Sequence, residues 1–164
     1  SKRMTPAARR DVADAILRHC PVVVVMSASS ATIDRDGLHV TNQRLLREVA
    51  RRVAPHADVC LVDGRPVREP MPPHVPLVGG DGTSAAVAAA SVVAKAARDR
   101  MMRGPAAAAY PGYGFALHVG YGTAAHRAAV RERGPCPLHR RSFASLAYGP
   151  WAGAGDAFPG DAGE

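Results

Sequence analysis

Two aspartates in this sequence stand where carboxylates can work on a phosphate or hold a metal ion. Asp63 closes the apolar run 59–62 and precedes Gly64, while Asp81 lies within Gly79-Gly80-Asp81-Gly82-Thr83-Ser84, just ahead of an alanine-rich stretch. In open α/β sheets, ligands collect where strands finish and helices begin, because backbone donors and partly exposed side chains converge there. Each aspartate also has a plainer reading: Asp-Gly is a common turn, and an aspartate ahead of a helix can cap it. The glycine run lacks the lysine that a phosphate-cradling loop needs before its Ser or Thr. Cys136 and His139 have a C-x-x-H spacing, but no second ligand pair suggests zinc. Tyr113 and Tyr121, in glycine-rich surroundings, can stack on sugars or bases or can cover a core edge. None of these signals decides the matter alone.

The elements that must position these residues follow from periodicity. Thr5-Pro6 opens a helix, with Thr5 as cap and proline at its first position. Ala8, Val12, Ala15, Ile16 and His19 then recur at three and four residues, until Pro21 ends the helix. Residues 22–26 are apolar and β-branched, which predicts a strand covered on both faces, followed by a small-residue loop at 27–32. A helix starting near 37–40 carries Leu38, Leu45, Leu46, Val49 and Val53 on its apolar face and ends at Pro55. Residues 59–62 are the next buried strand, so that 22–26, the helix and 59–62 are expected to form a right-handed parallel unit. A proline-rich crossing over 65–76 leads to a short strand at 75–78.

The longest predicted helix covers 83–102, with a small-residue stripe of Ala86, Ala90, Val93, Ala97 and Met101 and a polar stripe of Ser84, Ser91, Lys95 and Arg98. A connector at 103–109 and a Gly- and Tyr-rich loop at 110–121 precede a helix over 123–133, capped by Thr123 and stopped by Gly134-Pro135. Residues 137–143 carry the basic cluster His139-Arg140-Arg141. One α/β domain over 1–143 is the expectation, with 144–164 a loosely ordered Gly/Ala/Pro-rich tail.

Charge narrows the partner. The chain has 164 residues and a net charge of +7, and the acids Asp156, Asp161 and Glu164 follow Arg141 without any Lys or Arg, so residues 1–141 carry +10. That surplus suits a polyanion, although a solvated arginine-rich surface is the plainer account. Three widely spaced cysteines without a secretory leader point to a reducing, cytoplasmic setting. The longest apolar run falls well short of the ~18 residues of a membrane helix, so no membrane partner is expected. Ser1 rather than Met opens the sequence, and the natural chain is expected to start earlier.

The order of these motifs resembles ribonuclease HII over residues 1–143. The segments that carry the resemblance are Ser1-Lys2-Arg3-Met4-Thr5, Leu61-Val62-Asp63-Gly64, Gly80-Asp81, Ala88-Ala89-Ala90-Ser91-Val92-Val93-Ala94-Lys95 and Arg98-Asp99-Arg100. Further on come Tyr110-Pro111-Gly112-Tyr113-Gly114-Phe115, His118-Val119-Gly120-Tyr121-Gly122-Thr123 and the run from Gly134 through Cys136 and His139 to Phe143.

The resemblance implies a ribonuclease H-like mixed sheet with flanking helices, and an endonuclease that cuts the RNA strand of RNA/DNA hybrids and at ribonucleotides embedded in duplex DNA. The family uses four carboxylates to hold Mg²⁺ or Mn²⁺. Asp63 matches the third and Asp81 the fourth, while Asp99 is assigned to packing or ion pairing. Such ions take oxygen ligands, activate a water and stabilise the leaving oxygen. Tyr121 matches a tyrosine that packs on the deoxyribose beside the ribonucleotide, and Lys2, Arg3, Lys95 and Arg98 become candidate phosphate contacts. The protein is expected to be a monomer when complete. The family's Asp-Glu-Ala-Gly-Arg-Gly type strand, source of its first two carboxylates, has no match here, and Gly79 stands where many relatives carry Lys. The expectation is therefore a fold truncated at its amino end, with little activity as written. Nucleic-acid binding without cleavage, and a different metal-dependent phosphate enzyme, are the alternatives.

Overall fold

A computed structural model of the chain describes residues 4–67 and 70–143. In chain order its elements are α1 Pro6–His19, α2 Ser30–Asp36, α3 Leu38–Val53, β1 Cys60–Asp63, β2 His74–Leu77, α4 Ala85–Met101, α5 Ala107–Ala109, α6 Phe115–His118 and α7 Ala124–Arg133. Short 3-10 turns lie at Ala54–His56 and Gly80–Gly82, and a π-helical turn at Met102–Ala106. The expected tail, 144–164, falls outside the described residues, as do Lys2 and Arg3. By packing, the chain divides into two units, one made of residues 1–27 and 42–98 and the other of 28–41 and 99–164.

The first unit holds the sheet. Thr5 Oγ1 accepts the Ala8 amide at 3.2 Å and Pro6 takes the first helical position, so α1 begins as its sequence dictates. β1 and β2 pair in parallel, in the register Cys60↔His74, Leu61↔Val75, Val62↔Pro76 and Asp63↔Leu77. Pro76 has no N–H to give to a ladder, a restriction met on an edge strand. β1 alternates, with Cys60 and Val62 buried and Leu61 and Asp63 exposed, where burial on both faces was expected. Helices beside a small parallel sheet make a mixed α/β fold, as expected of a ribonuclease H-like chain.

Within this unit the expected strand at 22–26 and the buried face of α4 need correction. Residues 22–26 take no part in the sheet: among the described residues β1 pairs with β2 alone. β-branched residues suit a pleated surface, but a strand exists only where backbone donors and acceptors face it, and among the described residues 22–26 pairs with no strand. On α4 the buried residues are Val87, Val92 and Val93, while Ala86 and Ala90 are exposed and Met101 is half exposed. Volume decides this. A valine removes more apolar surface from water than an alanine, so the helix turns its valines inward and leaves the small-residue stripe partly out.

The second unit is built around Phe115 and Val130, which pack with Ala106, Tyr113 and Cys136. The connector expected at 103–109 is helical: α4 runs on through the π-helical turn, which accommodates Pro105, into α5. A π turn tolerates the missing proline N–H because its hydrogen-bond spacing is already displaced. α2 occupies part of the expected loop, because Ser29 caps it through the Thr32 amide at 3.1 Å. Its Asp34 accepts the amides of Arg141 and Ser142, at 2.8 and 2.9 Å, and the Ser142 hydroxyl at 2.6 Å. α7 is capped by Thr123 and stopped at Gly134, whose φ of 75° suits glycine, as expected.

Candidate functional site

The first unit places Asp63 and Asp81 on neighbouring turns. Asp63 is the last residue of β1, and beyond it the Gly64 amide donates to Leu77 O at 2.9 Å, extending the parallel pairing by one bond. The chain returns through β2 and turns at Gly79, in the left-handed region at φ 70°, into the 3-10 turn Gly80–Gly82. There the Gly80 amide donates to Asp63 Oδ1 at 2.9 Å. A side chain at Gly80 would press on Leu77 Cβ at 3.0 Å and Val87 Cγ1 at 3.1 Å, so the close approach needs glycine. Gly79 has its own backbone reason, since left-handed φ strains any residue with a Cβ.

That hydrogen bond holds one Asp63 oxygen and leaves its second, and the carboxylate of the next residue on the turn, as oxygen donors. Capping of α4 is done by Ser84, whose Oγ accepts the Val87 amide at 3.4 Å, so the plain capping role proposed for Asp81 belongs to Ser84. Mg²⁺ is commonly bound through one or two carboxylates with water and substrate phosphate completing its shell, and this pair fits such a role. Among the described residues no group of three or more His, Cys, Asp or Glu side chains is placed to hold a metal. Lys95 is half-buried on α4 and Arg98 is exposed.

The second unit presents Tyr121 and buries Tyr113. Tyr121 is 59% exposed, on the loop between α6 and α7. Tyr113 lies in the core, stacked on Phe115 with ring centroids 5.6 Å apart, its hydroxyl donating to Gly134 O at 2.8 Å. The Tyr121 loop is fastened by histidines. His118 Nδ1 accepts the Gly120 amide at 3.2 Å, so its proton sits on Nε2, which donates to Tyr113 O at 2.8 Å. His126 Nδ1 bonds Tyr121 O at 2.9 Å, and a carbonyl only accepts, so Nδ1 carries the proton. Its Nε2 then accepts from His139 Nε2 at 3.0 Å. His139 Nδ1 in turn accepts the Cys136 amide at 3.0 Å; its approach to Cys136 O at 3.2 Å needs the opposite tautomer and yields to the shorter bond.

Every proton in this chain is placed when both imidazoles are neutral. Burial pushes His139 down to about 4, and the neighbouring His126 adds to the fall. Burial also lowers His126; the bond to Tyr121 O opposes the shift and His118, stacked 4.5 Å away, supports it. Burial raises the Cys136 thiol, whose Sγ lies 3.1 Å from His139 Nδ1. The C-x-x-H spacing is thus a hydrogen-bonded pair within the core. The sequence offered His139 as a zinc ligand or as part of a basic cluster and left His118 and His126 without a role. The available signal was three histidines flanking one exposed tyrosine.

A family description, Ribonuclease HII, matches residues 1–146. Curated proteins named Ribonuclease HII are similar: that of Rhodococcus erythropolis is 40% identical over 146 residues, covering 89% of this chain and 64% of the relative. Those of Rhodococcus opacus and Mycobacterium ulcerans are 41% and 40% identical, over 90% and 89% of this chain and 65% and 61% of their own length. The chain thus spans less than two thirds of these relatives. With the family match running across β1, the glycine turn and the histidine-tied loop alike, the chain belongs to the ribonuclease HII family.

Proposed function

We propose that the chain serves an endonuclease that hydrolyses the RNA strand of RNA/DNA hybrids and cuts at ribonucleotides embedded in duplex DNA. The observation that carries this is the Gly80 amide on the Asp63 carboxylate, which sets Asp63 and Asp81 on adjoining turns. Asp63 and Asp81 are the proposed ligands for Mg²⁺ or Mn²⁺. Bound there, such an ion would polarise a phosphodiester and help ionise the attacking water. The Gly80 amide holds Asp63 by occupying one oxygen, and the second oxygen would remain available to a cation. Tyr121, exposed on its own loop, is the proposed contact to the sugar beside the ribonucleotide, where the 2′-hydroxyl separates RNA from DNA. Lys2, Arg3, Lys95 and Arg98 are proposed phosphate contacts, and the complete protein is proposed to act as a cytoplasmic monomer. Three free cysteines are in keeping with a reducing compartment, and among the described residues no helix is long and apolar enough to cross a membrane.

The test is cleavage of a labelled duplex carrying one ribonucleotide, with Mg²⁺ or Mn²⁺, by the chain and by Asp63→Asn and Asp81→Asn. Metal-dependent cutting that falls by more than about 100-fold in each variant supports the reading, since a metal's charge stabilisation is worth several kcal/mol. Cutting indifferent to both substitutions refutes it. One observation favours a second reading, binding without cleavage: among the described residues no group of three or more His, Cys, Asp or Glu side chains is placed to hold a metal. Salt-sensitive hybrid binding with no cutting at any metal concentration selects that reading.

A further inference from the structure

We infer that His126, braced by His139, is a positioning residue that sets the backbone carbonyl of Tyr121 and thereby the aim of the Tyr121 ring at nucleic acid. The role given to Tyr121 rests on the function proposed above, but the backbone arrangement is argued from the second unit alone.

Three observations meet at this loop. The Tyr121 carbonyl accepts twice, from the Thr123 amide at 2.7 Å and from His126 Nδ1 at 2.9 Å, so both its lone pairs are engaged. Val119, two residues earlier, holds φ at 47°, and it is the one residue other than glycine with positive φ among those described. A β-branched residue in that region is a genuine outlier, and such strain persists only where surrounding structure imposes it. Here the imposing groups are visible: Val119 is 5% exposed, its amide bonds Phe115 O at 3.0 Å, and the next amide, Gly120, bonds His118 Nδ1. The loop is therefore held on both sides of an exposed ring by imidazoles, the half-buried His118 and the buried His126. A loop whose only task was to join α6 to α7 would need neither.

The bond directions give the inference a sharp form. His126 spans from Tyr121 O to His139 Nε2, and His139 from there to the Cys136 amide, so the chain reads the same way only while both rings are neutral. Protonating His126 sets its Nε2–H against that of His139 at 3.0 Å, and protonating His139 sets its Nδ1–H against the Cys136 amide, also at 3.0 Å. The titratable groups facing His126 are His118, His139 and, beyond His139, Cys136 and Tyr113, with Arg133 beside Tyr113.

Two substitutions separate the ends of His126. In His126→Asn the amide nitrogen takes the place of Nδ1 and keeps the Tyr121 bond; in His126→Gln it takes the place of Nε2 and loses it. The experiment records the ¹⁵N–¹H spectrum of the chain and both variants, and their binding by fluorescence anisotropy to a duplex with one ribonucleotide and to its all-DNA counterpart. The Tyr121 and Gly122 amides keep their positions in His126→Asn and move or broaden in His126→Gln. Preference for the ribonucleotide duplex falls about fivefold in the second variant only, on the scale of one hydrogen bond. Equal spectra at Tyr121 in both variants overturn the inference whatever the binding shows. If neither the chain nor any variant prefers the ribonucleotide, the functional reading of Tyr121 falls and the spectra still decide the positioning.

Should His126→Gln fail to fold, acidifying the unsubstituted chain from pH 7 toward pH 4 supplies the same answer. A Tyr121 amide shift with the midpoint of the His126 ring upholds the inference. A His126 titration that leaves Tyr121 unmoved overturns it.

Discussion

On the proposed function, the carboxylate corner and the histidine-tied loop would solve opposite problems. At the corner the working groups are anions, and the polypeptide supplies a single amide, Gly80 N–H, to an otherwise exposed Asp63. At the loop the working group is one neutral ring, and a train of buried imidazoles supports the backbone beneath it. The difference teaches what each ligand demands. A cation supplies its own strong field and organises carboxylates on arrival, so only a starting direction need be built in. A sugar face gives little energy for reorganisation, so its partner must be set beforehand.

The comparison can be broken by changes that should act on only one side of it. The largest effect expected is on chemistry: Asp63→Asn abolishes metal-dependent cutting by the complete enzyme, more than about 100-fold, while thermal melting moves little because Asp63 is exposed. A large loss of melting temperature in that variant would mean the corner is structural after all.

On the other side, His139→Ala strands the buried Cys136 amide and the His126 nitrogen, and is expected to cost about 2–4 kcal/mol in chemical denaturation. Acid should weaken the same region. His126 and His139 have folded values depressed below the ordinary 6.5, that of His139 to about 4. Their contribution to stability is therefore complete above pH 6.5 and is lost as the pH falls from there through about 4. Denaturation midpoints that stay level across that window would show the two rings ionise freely in the fold.

Smaller effects sharpen the contrast. Gly80→Ala forces its Cβ to 3.0 Å from Leu77 Cβ, and should cost about 1–3 kcal/mol while also dislodging the amide from Asp63. The smallest is an inversion at Val119, where φ is 47°. Val119→Gly removes more side chain than Val119→Ala but also releases the left-handed strain, so the glycine variant should be the more stable of the two by about 1 kcal/mol. If alanine is the better tolerated, strain is absent from the loop.

How far the site was legible depends on what each residue reports. Asp63 and Asp81 were visible because Asp-Gly after an apolar run, and Gly-Asp-Gly before an alanine-rich run, are local signals. Thr123 and Gly134 bracketed α7 for the same reason. Residues 22–26 misled because their composition describes a surface suited to pairing, and pairing depends on a neighbour. The α4 stripe misled because periodicity ranks positions without weighing alanine against valine. His118 and His126 carried no legible role, since a histidine's work lies in the partners of its two nitrogens.

What the residues determined unaided is the covalent and local part: that α1, α3, α4 and α7 form, where α1 and α7 are capped, and which motifs run in what order, because these depend on near neighbours in the chain. Membership of the ribonuclease HII family follows from that order. Only the folded chain decided that Gly80 reaches back to Asp63 and that His139, His126 and Tyr121 form one directed line. Each of those joins groups separated along the sequence, and a hydrogen bond across that separation exists only once packing has placed donor and acceptor within about 3 Å.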